Sequence, residues 1–173
     1  MSDSRANKRR PEGQDHRAGE HAITDVGQLI LAVLFAGAWI ADLFFLRWTT
    51  FFNAHVPLAI RIPVGAVLLV VATFLAQASH RAIFGKACKQ PHVVRTGVFA
   101  FVRHPMYLSE ILLYLGLLVM GISLIAGGVW LATIGFLHYI SRTEERLLVA
   151  RFGDEYAAYM RNVPMWIPRL QRP

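Results

Sequence analysis

Apolar residues are concentrated in three long stretches of the chain. They run from Val26 to Leu46, from Ile62 to Ser79 and from Ile111 to Ile140, and only one charged residue, Asp42, falls within any of them. A helix needs roughly 20 apolar residues to cross the hydrocarbon core of a bilayer. The pattern therefore predicts helices that cross, or nearly cross, a membrane.

The first two stretches each predict one span, at about Gly27 to Leu46 and Leu58 to Ser79. The third is about 30 residues long, which is roughly 45 Å as one helix and too long for an ordinary crossing. We expect it to turn at Gly127 and Gly128, which gives a helical hairpin with both open ends on one membrane side. About four transmembrane helices follow.

The polar segments complete the predicted organisation. Residues 1–22 are mixed in charge and contain Gly and Pro, so we expect a disordered cytoplasmic tail. Residues 23–173 leave room only for short loops between spans, which predicts a single membrane domain. The helix after Ile140 and the segment Asp154 to Arg161 predict a cytoplasmic helical tail. The fold class is all-α integral membrane.

Composition and charge support the membrane class. The chain is 55% hydrophobic and 17% charged, far from the balance of a soluble domain. Its net charge of +7 does not indicate nucleic acid, because the basic residues sort by membrane side. They precede the first span, follow the second and follow the last, whereas the opposite side offers only Arg47 and Arg61. The positive-inside rule therefore places both termini in the cytoplasm. The lone Cys88 allows no internal disulfide, and no metal-ligand spacing is visible.

Two polar clusters flank the hairpin and carry opposite charge. Pro105 suits the first turn of a helix, which leaves Arg103 and His104 at a helix entrance that favours an anion, such as the carboxylate of an amino-acid-like cofactor. Glu144 and Glu145 return negative charge to the same membrane side. They are about 100° apart around a helix, so at most one can face a shared pocket. The sequence leaves open which one.

A longer ordered pattern contains these clusters. Its elements are Arg103-His104-Pro105-x-Tyr107, then Glu144-Glu145, then Phe152-Gly153-x-Glu155-Tyr156, with Tyr159 beyond. In order and spacing, the pattern resembles the isoprenylcysteine carboxyl methyltransferase and phospholipid N-methyltransferase families. The resemblance covers roughly the last 80 residues, with residues 95–168 as the catalytic half. Phe99 stands where a Tyr is common, and Ser109 stands where a Gly is common.

The resemblance implies methyl transfer from S-adenosyl-L-methionine to a lipid or lipid-like acceptor at the cytoplasmic membrane face. The implied cofactor-binding residues are Gly97, His104, Tyr107, Leu108, Glu144 and Glu145. The implied catalytic residues are Arg103, which would orient an acidic acceptor, and Glu145. Glu145 or Glu110 would accept a proton from an amine or thiol acceptor. Membrane lipids and a hydrophobic substrate are the expected partners.

Two other functions fit the same chain. Membrane sterol and enone reductases have a similar C-terminal half but bind NADPH; they tend to be longer, and no extra basic cluster for a 2'-phosphate is evident here. A non-catalytic lipid-binding protein would keep the fold without turnover. Tyr156 and Tyr159 are interpreted as interfacial anchors and His138 as a packing residue. The acceptor, the oligomeric state and whether the hairpin arms fully span are left open.

Overall fold

The computed structural model describes residues 13–84 and 93–168 of the chain. The helices in these residues are α1 (Gly13–Ile40), α2 (Leu58–Phe84), α3 (Pro105–Met120), α4 (Leu124–Phe152) and α5 (Asp154–Asn162). A π-helical turn at Ala41–Leu46 extends α1, and short 3-10 turns occupy Phe51–Ala54 and Gly97–Ala100. The described part of the chain contains no strand, which confirms the all-α class there.

Within the described residues, three segments are long and apolar enough to cross a membrane: Asp25–Leu46, Leu58–Ile83 and Leu124–Phe152. The remaining apolar helix, α3, has 16 residues. It is therefore roughly 24 Å long, which is less than the roughly 30 Å of a hydrocarbon core. The structure thus supports three spanning helices, and the fourth crossing stays a prediction.

The hairpin turns earlier than the sequence pattern indicated. Gly127 and Gly128 lie inside α4, so the predicted break at these residues is wrong. The turn comes instead between Met120 and Leu124, where the Ser123 hydroxyl accepts a hydrogen bond from the Ala126 backbone N–H at 3.2 Å and caps α4. The first backbone N–H groups of a helix lack partners within the helix, and the Ser123 cap satisfies one of them at the start of α4. Gly127 and Gly128 lie further along, within the continuous helix.

Two polar groups from the first half of the chain hold this turn. Asp42 is fully buried and accepts hydrogen bonds from the Ser123 hydroxyl at 2.6 Å and from the Thr49 backbone N–H at 3.2 Å. Arg61 donates to the Met120 carbonyl at 3.0 Å and to the Asn53 side chain. These six residues form a distal clamp at the end of the molecule where the hairpin turns: Asp42, Thr49, Asn53, Arg61, Met120 and Ser123.

The helices α1 and α2 pack against the hairpin rather than mainly against each other, α2 along α3 and α1 along α4. The α2–α3 contact is close at Gly65, where a Cβ would lie 2.8 Å from the Gly116 carbonyl oxygen. On the other side, Phe35 stacks on Tyr114 with ring centroids 4.5 Å apart. This arrangement leaves space between α1 and α2.

The structure describes only part of the predicted N-terminal tail and of the loop after α2. Residues 1–12 lie outside the described part, and α1 already begins at Gly13, within the segment for which disorder was expected. The division into tail and domain stays a prediction. Cys88 also lies outside the described residues.

Candidate active site

The start of α3 is fixed by the C-terminal segment. Pro105 occupies the first turn of α3, and His104 precedes it. The Arg103 backbone N–H donates to the Pro164 carbonyl at 2.9 Å, and the His104 N–H donates to the Met165 carbonyl at 3.2 Å. These bonds tie the residues before α3 to the C-terminal segment and so fix the backbone from which both side chains extend.

The structure brings the two charged clusters of the sequence together. Arg103 Nη2 lies 2.8 Å from Glu145 Oε1, and His104 Nε2 lies 3.2 Å from the same oxygen. His104 Nδ1 is 3.6 Å from Glu144 Oε2, and the Tyr107 hydroxyl donates to Glu144. The entrance of α3 and the C-terminal half of α4 therefore share one ionic network.

The two glutamates occupy different environments. The Glu145 side chain is 2% exposed, whereas that of Glu144 is 33% exposed. Glu144 lines the cavity described below, and Glu145 is not part of its wall. Glu145 Oε2 also has no hydrogen-bond partner. Glu144 is thus the glutamate that faces the pocket, and Glu145 lies behind it.

Arg103 is held from two sides. Besides its contact with Glu145, it donates from Nη1 to the Met160 carbonyl at 2.8 Å. Its side chain is 10% exposed, and its Nε has no hydrogen-bond partner. The positive charge of Arg103 is therefore largely neutralised by Glu145 before any ligand is considered.

Helix α5 closes one side of the network. Tyr156 and Tyr159 are buried, and the Tyr159 hydroxyl donates to the Phe99 carbonyl at 2.7 Å. Burial raises the pKa of Tyr159 to about 12, and burial with the nearby Glu145 charge raises the pKa of Tyr156. Both phenols are therefore neutral near pH 7. An exposed ion pair, Arg95 with Glu155 at 3.1 Å, ties α5 to the residues before the 3-10 turn.

A cavity of about 780 Å³ opens beside this network, with residues of all five helices in its wall. Arg103, His104, Tyr107 and Glu144 form one polar end. Apolar side chains form much of the remaining wall, among them Ala72, Ala76, Val94, Met106, Leu148 and Phe152. The cavity therefore combines a charged end with an apolar body, as small-molecule sites commonly do.

The sequence missed several wall residues. Tyr156 and Tyr159, interpreted as interfacial anchors, line the cavity. Their i, i+3 spacing was the available signal, because it places both on one helix face. Gln28 on α1 and Gln77 on α2 also line it, although the first half had seemed only apolar. His138 packs edge-on against Trp166, with centroids 5.6 Å apart.

Not every residue implied by the resemblance reaches the cavity. Arg103, His104, Tyr107 and Glu144 do. Three others, Gly97, Leu108 and Glu145, are not in its wall. Gly97 is exposed, with a φ of 62° at the start of a 3-10 turn, and Leu108 is half-buried on α3.

Comparison with known proteins gives a family for this fold and site. A sequence profile described as phospholipid methyltransferase matches residues 55–155, and the chain belongs to this family. Over 107 residues it is 33% identical to protein-S-isoprenylcysteine O-methyltransferase of Rattus norvegicus, covering 60% of this chain and 37% of that protein. Over 90 residues it is 33% identical to the cobalt-zinc-cadmium resistance protein CzcN of Cupriavidus metallidurans, covering 51% of this chain and 41% of that one.

A protein-S-isoprenylcysteine O-methyltransferase of Mus musculus is 32% identical over 60% of this chain and 38% of its own length. The chain thus spans about two fifths of the length of the curated relatives it matches. No solved structure matches the chain significantly. The apolar helices and the family together indicate an integral membrane protein.

Proposed function

We propose that this protein transfers a methyl group from S-adenosyl-L-methionine to a lipid or lipid-like acceptor at the cytoplasmic membrane face. The observation that carries the proposal is the ionic network of Arg103, His104, Glu144 and Glu145 at one end of a largely apolar cavity. Membership of the phospholipid methyltransferase family supports it. The basic residues that flank the spans support a cytoplasmic site.

The polar end has the chemistry that this cofactor needs. S-adenosyl-L-methionine carries a carboxylate, an ammonium group and a positively charged sulfur, so it needs donors and an acceptor close together. Arg103 and His104 bring N–H groups to the cavity wall, and Glu144 offers a partly exposed carboxylate that the Tyr107 hydroxyl holds. The volume of about 780 Å³ lies within the range of roughly 300–1,000 Å³ that small-molecule sites occupy. When bound, the cofactor supplies an electrophilic methyl group.

Each residue of the network has a distinct task in this proposal. Glu144 faces the cavity and would hold the cofactor's cationic groups, while Tyr107 fixes the Glu144 carboxylate. Glu145 is a positioning residue, because its buried carboxylate contacts Arg103 and His104 rather than the cavity. Arg103 lines the cavity with a rigidly held guanidinium. Such fixed charges align reactants without reorganising during the reaction.

The acceptor and the cofactor reach the site from different sides in this proposal. Because α1 and α2 pack mainly on the hairpin, the space between them offers a lateral route for an apolar chain. Small and polar side chains of α2, such as Ala72 and Thr73, line the cavity. The charged end lies towards the polar segments, where a water-soluble cofactor enters.

A thermal-shift experiment in mild detergent tests the proposal. S-adenosylhomocysteine should raise the melting temperature of the purified full chain, and NADPH should not, because only a ligand that binds the folded state stabilises it. Glu144→Gln should weaken the effect of S-adenosylhomocysteine, whereas Asp154→Asn, an exposed carboxylate outside the cavity wall, should leave it unchanged. Stabilisation by NADPH alone would favour a reductase. Stabilisation by neither would favour a non-catalytic lipid-binding protein.

A further inference from the structure

Four buried side-chain atoms have no hydrogen-bond partner within the described part of the chain: Arg103 Nε, Ser141 Oγ, Glu145 Oε2 and Trp166 Nε1. Buried polar atoms in folded proteins are almost always hydrogen-bonded, because an unpartnered one is costly. All four residues meet at one place, where α4 packs against the residues before α3 and the C-terminal segment. One shared ligand can therefore satisfy all four atoms.

Two of the four residues stand on one face of α4. Ser141 precedes Glu145 by four residues, a spacing that makes side chains neighbours on a helix surface. Both residues are almost completely buried, at 0% and 2% exposed. Arg103 contacts Glu145 directly, with Nη2 and Oε1 2.8 Å apart. The unpartnered atoms of these three residues therefore lie around one ion pair.

Trp166 approaches the same part of α4 from the C-terminal segment. Its ring packs edge-on against His138, with centroids 5.6 Å apart, and His138 lies about one helical turn before Ser141. The preceding residue, Met165, accepts the His104 backbone N–H through its carbonyl at 3.2 Å. Trp166 is therefore held between α4 and the start of α3.

The large cavity does not account for these atoms. Ser141, Glu145 and Trp166 are not in its wall, and Arg103 alone of the four residues belongs to both places. Glu144 faces the cavity, whereas the four atoms lie on the opposite, rear side of the ionic network. A ligand in the cavity would therefore leave the rear atoms without partners.

The four groups restrict the chemistry of what can bind at the rear of the network. Arg103 Nε and Trp166 Nε1 only donate hydrogen bonds, the Glu145 carboxylate only accepts them, and the Ser141 hydroxyl does both. An anion would meet the Glu145 carboxylate, and a cation would meet the Arg103 charge. A small neutral molecule that both donates and accepts suits all four. Buried water molecules have this chemistry and typically make about three hydrogen bonds.

We propose that the rear of the ionic network is an internal hydration site that holds one water molecule. The water accepts hydrogen bonds from Trp166 Nε1 and Arg103 Nε, and it donates to Glu145 Oε2 and to the Ser141 hydroxyl. The Glu145 carboxylate is then held on both oxygens, since Oε1 already contacts Arg103 and His104. Ser141 and Trp166 are thus positioning residues that act on the network through the water. The site does not depend on which ligand the cavity binds, so it goes beyond the proposed function.

Nuclear magnetic resonance of the unliganded full chain in detergent micelles tests the hydration site. A water molecule that stays bound for longer than the protein takes to tumble gives a nuclear Overhauser cross-peak to a neighbouring N–H. We expect this cross-peak at the Trp166 indole N–H. The indoles of Trp39 and Trp130 are matched controls and should show none, because they donate to the carbonyls of Gly121 and Ile111 at 2.7 Å and 3.0 Å. No water cross-peak at Trp166 would overturn the proposal without any variant having to fold.

Ser141→Ala separates a bound water from a signal that the Ser141 hydroxyl itself relays. The water would keep three partners in this variant, so its cross-peak to Trp166 should weaken but persist. Complete loss of the cross-peak would show that the hydroxyl was its source and would overturn the proposal.

The positioning role has its own measurement in the same variant. With the water held less firmly, Ser141→Ala should shift the ring nitrogen signals of His104, which shares the Glu145 carboxylate. Thr143→Ala is the matched control and should leave them unchanged, because the Thr143 hydroxyl donates to the Tyr139 carbonyl at 3.1 Å within α4. Unshifted His104 signals in Ser141→Ala would overturn the positioning role. The result is independent of S-adenosylhomocysteine binding, on which the proposed function is tested.

Discussion

Arg103 and Glu145 form a close ion pair, with Nη2 and Oε1 2.8 Å apart, from residues 42 positions apart in the sequence numbering. Both side chains are almost removed from solvent, at 10% and 2% exposed. A second basic group, His104, shares the same carboxylate oxygen at 3.2 Å. The pair joins the entrance of α3 to α4, so it contributes to the architecture of the site as well as to its charge.

Removing one partner of this pair should destabilise the protein strongly. Glu145→Gln leaves the Arg103 charge buried without a counter-ion, and breaking such a pair typically costs about 3–5 kcal/mol. Unfolding by titration of a denaturing detergent measures the loss in unfolding free energy. The exposed pair Arg95 and Glu155 is the control, because its side chains are 42% and 55% exposed.

A double-mutant cycle makes the comparison quantitative. Arg103→Gln combined with Glu145→Gln should show a coupling free energy clearly above that of Arg95→Gln with Glu155→Gln, which we expect below about 1 kcal/mol. Equal coupling in the two cycles would contradict the structural role given to the buried pair.

The two adjacent glutamates should respond differently to the same substitution. Glu144→Gln should weaken S-adenosylhomocysteine binding by about tenfold with little change in stability, because the side chain faces the cavity. Glu145→Gln should reduce stability in the absence of any ligand. Calorimetry of ligand binding and unfolding free energies, measured on both variants, separate the two effects. A larger loss of unliganded stability in Glu144→Gln than in Glu145→Gln would reverse the assignment.

Close packing between α2 and α3 gives a prediction far from the chemistry. A Cβ at Gly65 would lie 2.8 Å from the Gly116 carbonyl oxygen and 2.4 Å from Met120 Cγ. The methionine can move, but the backbone oxygen cannot without separating the helices, so Gly65→Ala should lower the unfolding free energy by about 1–3 kcal/mol. Gly135→Ala is the matched control, since nothing lies within 4 Å of its Cβ position. Equal effects in both variants would argue against the close contact.

The distal clamp should affect stability without affecting ligand affinity. Asp42→Ala removes the acceptor of the Ser123 hydroxyl and of the Trp48 and Thr49 backbone N–H groups. Each buried donor left without a partner costs about 1–3 kcal/mol. Detergent unfolding should show this loss, while S-adenosylhomocysteine should bind the remaining folded protein with unchanged affinity. Weaker binding of S-adenosylhomocysteine by the folded fraction would show that the distal clamp also affects the conformation of the ligand site.

The sequence predicted much of the site because the charged residues of the site stand at fixed positions relative to predicted helix ends. Pro105 indicates a helix start, and Arg103 and His104 necessarily stand at it. The uncharged run that follows is too long to cross once. A hairpin is therefore predicted to return Glu144 and Glu145 to the same end, and in the structure His104 contacts both glutamates while Arg103 contacts Glu145.

What the sequence could not predict depends on distant partners. The turn before Leu124 is set by Asp42, Asn53 and Arg61 from the first half of the chain, and helical periodicity within the hairpin carries no information about them. Likewise, adjacent glutamates look alike in sequence, and only the packing of α3 on α4 makes Glu145 the buried one.

The distal clamp also has a consequence for biogenesis. A nascent chain enters the bilayer from its N-terminal end, so α1 and α2 arrive before Ser123 and Met120 have been synthesised. Until then Asp42 and Arg61, which lie near the ends of their helices, lack their partners from the hairpin, and an ionisable residue without partners in a membrane-spanning segment is unfavourable. Arrival of the hairpin relieves this penalty, so the same segment completes the packing of the helices and brings the polar end of the cavity together.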